Sequence, residues 1–137
     1  MTLIVDASVA VKWLLLEDGT EAAKRLIADE LLAAPDLLFI ECANVLRTKR
    51  RRGLLSAEDV AEAFIVLESV PLRGVPIRPH VSAAHTIASE LDCSAYDALY
   101  LAVALAERSL LVTADAKFAR AVSAHPVYRS SLMRLES

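Results

Sequence analysis

Leu3-Ile4-Val5-Asp6, at the start of the chain, and Leu110-Leu111-Val112-Thr113-Ala114-Asp115, near its end, are apolar runs that each lead into a carboxylate. Short, apolar runs of this kind read as strands buried on both faces, as in parallel sheets. Helical patterns fill most of the chain between them. Ser8 is placed to cap a helix through about Leu16, and Asp18-Gly19-Thr20 forms a turn. Thr20 then opens a helix with Ala22, Ala23, Leu26 and Ile27 on one face. Pro35 breaks the chain before a long helix over 36–52, and Ser56-Ala57-Glu58-Asp59 is a capping signature for a helix ending near Val70. Val75-Pro76-Ile77 is a short strand whose proline suits an edge or a strand start. Helices over 80–91, 95–107 and 116–123 follow, with Val127-Tyr128 as a last edge strand. Strands alternating with helices predict a central parallel sheet covered on both faces, a three-layer α/β/α sandwich. The pattern predicts one domain over 1–137, without linker, repeat or low-complexity segment.

At 137 residues the chain is large enough for a real core. Its apolar share of 55% and mean hydropathy of +0.42 exceed what so small a globule can bury. Part of that surface is therefore expected to line an interface. Membrane insertion fails on length, because the longest uninterrupted apolar run is 98–106, against ~20 residues for a spanning helix. The apolar stretch 9–16 contains Lys12 and follows Asp6, which does not fit a signal peptide, so a cytoplasmic protein is expected. Cys42 and Cys93 lack metal-ligand spacing and read as buried thiols. His80, His85 and His125 form no ligand pattern.

A net charge of −3 argues against broad nucleic-acid affinity. One local exception is the run Arg47, Lys49, Arg50, Arg51 and Arg52 before Gly53. Cations at a helix C-terminus satisfy carbonyls there, with Gly53 as a left-handed cap. That accounts for one or two charges easily and for five poorly. The alternative is a patch that contacts phosphates or an acidic partner segment.

Four acids, Asp6, Glu41, Asp97 and Asp115, stand where carboxylates are costly unless used. Asp6 and Asp115 lie at the carboxyl ends of strands, the rim where open parallel sheets form their sites. Glu41 shares a helix face with Leu37, Leu38 and Val45, and Asp97 is the sole charge in the apolar helix over 95–106. Each has a structural use as well. Asp115 can cap the helix over 116–123, Asp97 can complete a capping box with Ser94, Asp6 can cap or turn the chain, and Glu41 can pair with a distant arginine. Taken together, three or four carboxylates suit a hard divalent cation that keeps positions open for water and phosphate oxygens. Such a cation acidifies its water and neutralises phosphoryl charge, which points to a metal-dependent phosphodiesterase. Ser8 and Thr113, each two residues from an acid, are placed to orient ligands or waters.

The segments Leu-Ile-Val-Asp6-Ala-Ser8-Val-Ala-Val-Lys12-Trp13-Leu, Glu41-Cys-Ala-Asn-Val, Tyr96-Asp97-Ala-Leu-Tyr-Leu-Ala and Leu-Val-Thr113-Ala-Asp115 resemble, in family order, a PIN-domain ribonuclease. They are similar in particular to VapC toxins of type II toxin–antitoxin pairs. The resemblance spans nearly the whole chain. It implies an α/β/α fold, cleavage of RNA dependent on Mg²⁺ or Mn²⁺, a small cognate antitoxin and a toxin homodimer. It also implies that Asp6, Glu41, Asp97 and Asp115 form the acidic quartet. Asp6 and Asp97 are the foremost direct ligands, and Asp115 can act through water. The basic run, and less so Lys12, become candidate contacts to RNA or antitoxin. Two other readings stay open: a PIN-like nuclease for structured DNA or RNA processing, and a catalytically silent binding module whose acids serve as caps and ion pairs.

Overall fold

A computed structural model describes residues 2–136. Its core is a five-stranded sheet in the order β3-β2-β1-β4-β5, with every pairing parallel. The strands are β1 (Thr2–Val5), β2 (Leu31–Pro35), β3 (Leu72–Val75), β4 (Leu110–Thr113) and β5 (Leu132–Arg134). Among the described residues seven α-helices flank it: α1 (Ala7–Leu14), α2 (Thr20–Asp29), α3 (Leu37–Arg51), α4 (Ala57–Ser69), α5 (Val81–Leu91), α6 (Ala95–Ala106) and α7 (Ala116–Ser123). Helix α6 lies across β1, β2 and β4 with α5 against it, while α1 packs with α2, α3 and α4. The expected three-layer sandwich is therefore present.

The two runs that announced the fold form its centre. Ile4, Val5, Leu111 and Val112 are fully buried, and β1 is registered with β4 through Ile4 opposite Leu111. From β1 the chain adds β2 and β3 on one side, then β4 and β5 on the other. The order thus reverses between β1 and β4. At such a junction the flanking connections diverge and leave a crevice at the carboxyl ends of the strands.

Local chemistry sets several boundaries. Ser56 and Asp59 form a complete capping box at the start of α4. Helix α3 closes on Gly53 at φ +75°, where Gly53 N–H reaches Arg50 O and Leu54 N–H reaches Lys49 O. This is the expected left-handed cap, and its two bonds satisfy helix-end carbonyls through the backbone.

Four boundaries differ from expectation. Asp6, not Ser8, caps α1, accepting from Val9 N–H at 3.3 Å, because the Ser8 hydroxyl is drawn to Asp6 and to Ala114. Strand β2 had no counterpart in the sequence reading. Its leucines and alanines favour helix, and only burial between β1 and β3, beneath α6, makes them a strand. Strand β3 ends at Val75 rather than spanning 75–77, since Pro76 offers no N–H to a ladder, but it does occupy a sheet edge. Val127-Tyr128 is a turn, and the last edge strand is β5. His125 Nδ1 accepts from both Val127 N–H and Tyr128 N–H, so these donors are already committed.

Candidate metal centre

Asp6 ends β1 and is 8% exposed. Its Oδ1 accepts from Ser8 Oγ at 2.5 Å, and its Oδ2 accepts from Thr113 Oγ1 at 2.5 Å. Ser8 Oγ also accepts from Ala114 N–H at 2.9 Å, and Thr113 Oγ1 accepts from Asp115 N–H at 3.1 Å. Two hydroxyls thus tie the end of β1 to the loop after β4. Burial pushes the Asp6 carboxyl up to about 6, and the Asp115 charge adds to the rise, although the Ser8, Thr113 and Val9 bonds oppose it.

Glu41 sits half-buried on α3, where Tyr100 Oη donates to its Oε1 at 2.5 Å. Its carboxyl is raised first by burial and then by Asp97, against the lowering effect of Tyr100. Asp97, in the first turn of α6, is raised by burial and by Asp115, with Ser94 and Lys117 opposing. Asp115 precedes α7, and its Oδ1 accepts from Phe118 N–H at 3.0 Å. These couplings run Glu41–Asp97–Asp115–Asp6. The four expected acids are therefore electrostatic neighbours, with Asp6 and Asp115 just beyond the carboxyl ends of β1 and β4.

Among the described residues, none of the four acids is in a salt bridge, and no three His, Cys, Asp or Glu side chains form a ready-made metal cage. The acids are a loose set of oxygen donors whose mutual repulsion is opposed by hydrogen bonds from Ser8, Thr113, Val9, Tyr100 and Ser94 and, beside Asp97, by the Lys117 charge. That chemistry fits Mg²⁺ or Mn²⁺, which take one or two carboxylates directly and fill their remaining positions with water and substrate oxygens. A groove of about 640 Å³ beside Glu41 includes Asn44, Arg47 and Tyr96, and one of about 370 Å³ includes Asp97, Asp115 and Lys117.

The structural uses foreseen for these acids are partly realised. Asp6 caps α1 and Asp115 caps α7. Ser94 Oγ accepts from Asp97 N–H, but the return bond that completes the Ser56–Asp59 box has no equivalent there. Glu41 meets a tyrosine, not an arginine. Tyr100 is thus the site residue that sequence reasoning missed, having been counted among the apolar residues of α6. Two signals marked it: it lies three residues beyond Asp97, on the same helix face, and a buried phenol needs a polar partner.

The remaining candidates separate. Lys12 Nζ is held locally by Glu17 Oε1 at 3.2 Å and Asp18 O at 2.5 Å. Within the basic run, Arg50 reaches Leu55 O at 3.4 Å, and no acidic partner meets any of the five cations among the described residues. Cys42 is buried and Cys93 half-buried, both as free thiols, and burial pushes Cys42 up to about 12. His125 bridges to Glu90 at 3.2 Å.

Residues 3–123 match the PIN domain family. Ribonuclease VapC9 of Mycobacterium tuberculosis is 38% identical over 113 residues, which cover 82% of this chain and 85% of that protein. Among solved structures, PAE2754 from Pyrobaculum aerophilum has a TM-score of 0.73 at 23% identity, over 98% of this chain and 84% of that one. A chain of VapBC2 from Rickettsia felis, bound to a DNA fragment from its promoter, has a TM-score of 0.67 at 16% identity, over 99% of this chain and all of that one. At those identities the two structures speak to fold alone. The five-stranded parallel sheet flanked by helices is the fold shared with those structures. The chain belongs to the PIN domain family, on the side of the VapC ribonucleases.

Proposed function

We infer that the chain is an endoribonuclease toxin of a type II toxin–antitoxin pair, hydrolysing RNA phosphodiester bonds with Mg²⁺ or Mn²⁺ at Asp6, Glu41, Asp97 and Asp115. The observation that carries this reading is a set of four carboxylates with no salt-bridge partner among the described residues, three of them raised first by burial and further by a neighbouring carboxylate. When bound, the cation supplies an acidified water and neutralises charge on the phosphoryl oxygens. The chain supplies position. Asp6 and Asp97 are the foremost ligands, Glu41 closes the set from α3, and Asp115, already engaged with Phe118 N–H, acts through water. Ser8 and Thr113 orient Asp6 through the bonds they donate.

RNA is the favoured substrate because the relative with 38% identity is named a ribonuclease. The Rickettsia felis structure is named VapBC2, and a small antitoxin is the corresponding partner here. The basic run is assigned to RNA phosphates or to that antitoxin. One observation favours the silent-module reading: Asp6 and Asp115 both cap helices. Cation dependence separates the two.

A mixed RNA pool incubated with the purified protein should be cut in Mg²⁺ or Mn²⁺ and spared in chelator. Asp97→Asn should slow cutting on the order of a hundredfold or more, since a ligand charge is lost. An equimolar product of a neighbouring short reading frame should suppress cutting. Equal activity in wild type and Asp97→Asn would overturn the proposed chemistry.

A further inference from the structure

Tyr100 is 2% exposed, and its hydroxyl has one hydrogen bond, donated to Glu41 Oε1 at 2.5 Å. It sits one turn beyond Asp97, so α6 presents an acid and the phenol on neighbouring positions of one face. Glu41 comes from a different helix, α3, on a long side chain with three rotatable bonds. Asp6 is held at both oxygens, and Asp115 is held by Phe118 N–H. Glu41 has the Tyr100 hydroxyl as its one side-chain anchor among the described residues. A buried phenol in turn requires an acceptor, so the bond serves both groups.

We propose that Tyr100 is a positioning residue: its hydroxyl fixes the Glu41 carboxylate by Oε1 and leaves Oε2 available to a cation. This rests on the metal-centre reading above. The bond restricts the rotamers of Glu41 before any cation arrives, so less freedom is lost when one binds. Phenylalanine at position 100 retains the ring and its burial, removing only the oxygen. The effect should therefore appear in cation affinity more than in folding.

The test is Mn²⁺ binding by calorimetry on wild type, Tyr100→Phe, Glu41→Gln and the double variant, with thermal melting of the metal-free proteins. Tyr100→Phe should weaken Mn²⁺ binding about tenfold, the lower end for a group that orients a ligand. In the Glu41→Gln background the same change should have little further effect, because the phenol acts through the carboxylate. A purely structural tyrosine would lower the melting temperature equally in both backgrounds and leave Mn²⁺ affinity unchanged; that result overturns the inference. So does equal loss of affinity in both backgrounds, which would place Tyr100 outside the Glu41 pathway. If wild type and Glu41→Gln bind Mn²⁺ alike, Glu41 is no ligand and the inference falls with it. If wild type binds no Mn²⁺, the metal-centre reading fails as well.

Discussion

Asp6 carries the largest structural burden of the four acids. It caps α1, receives two hydroxyls and lies within reach of the Asp115 charge. Its rise from 3.8 to about 6 means that the folded chain prefers the protonated form. The associated stability is fully present below pH 3.8 and is lost as pH climbs through about 6. A rise of that size corresponds to about 3 kcal/mol as an upper bound. The metal-free protein should therefore lose stability between pH 4 and pH 7 through this group, and Asp6→Asn should remove that portion of the slope. Urea unfolding of both proteins across this range measures it; superimposable slopes would mean that Asp6 ionises in the fold as it does in water. The candidate acids stood out in the sequence because Asp6 and Asp115 end apolar runs and Glu41 and Asp97 interrupt them. Their hydroxyl partners were legible only in part. Ser8 and Thr113 lie beside acids in the chain, whereas the Tyr100–Glu41 bond spans 59 residues and required the packing of α6 near α3.

At the scale of elements, α3 joins a candidate ligand, Glu41, to the basic run at its far end. The Gly53 cap satisfies carbonyls of the last turn by backbone bonds, so those cations are largely free of capping duty. Arg47 and Arg51 are both exposed and lie one turn apart, and Arg47 borders the groove beside Glu41. If they meet RNA phosphates, replacing both with alanine should flatten the salt dependence of RNA binding by ~0.7 per contact for a single strand. Binding by the Asp97→Asn protein, followed across a salt series, checks this. An unchanged slope would reserve the run for the antitoxin. The same scale shows where local propensity misleads. Strand β2 is built from Leu31, Leu32, Ala33, Ala34 and Pro35, and its state is imposed by two neighbouring strands. Strand β5 was displaced from its expected place because His125 claims the backbone donors of Val127 and Tyr128.

For the whole molecule, the apolar excess is only partly absorbed by the core. Leu16, Leu31, Ile40, Leu54, Ile65, Val81, Tyr96 and Val127 remain more than half exposed. Such material is expected to be covered, and a homodimer is the proposed cover for part of it. Sedimentation equilibrium at micromolar concentration should return twice the 14.9 kDa chain mass; a monomer would leave that surface to the antitoxin. The sequence alone determined the class of fold and singled out the four candidate acids. Strand runs, capping signatures and a costly carboxylate are local facts, written in neighbouring residues. Tertiary structure alone decided which strands adjoin, that the order reverses between β1 and β4, and that Tyr100 meets Glu41. Those depend on contacts between distant parts of the chain: local periodicity marks which face is buried but not which distant segment covers it.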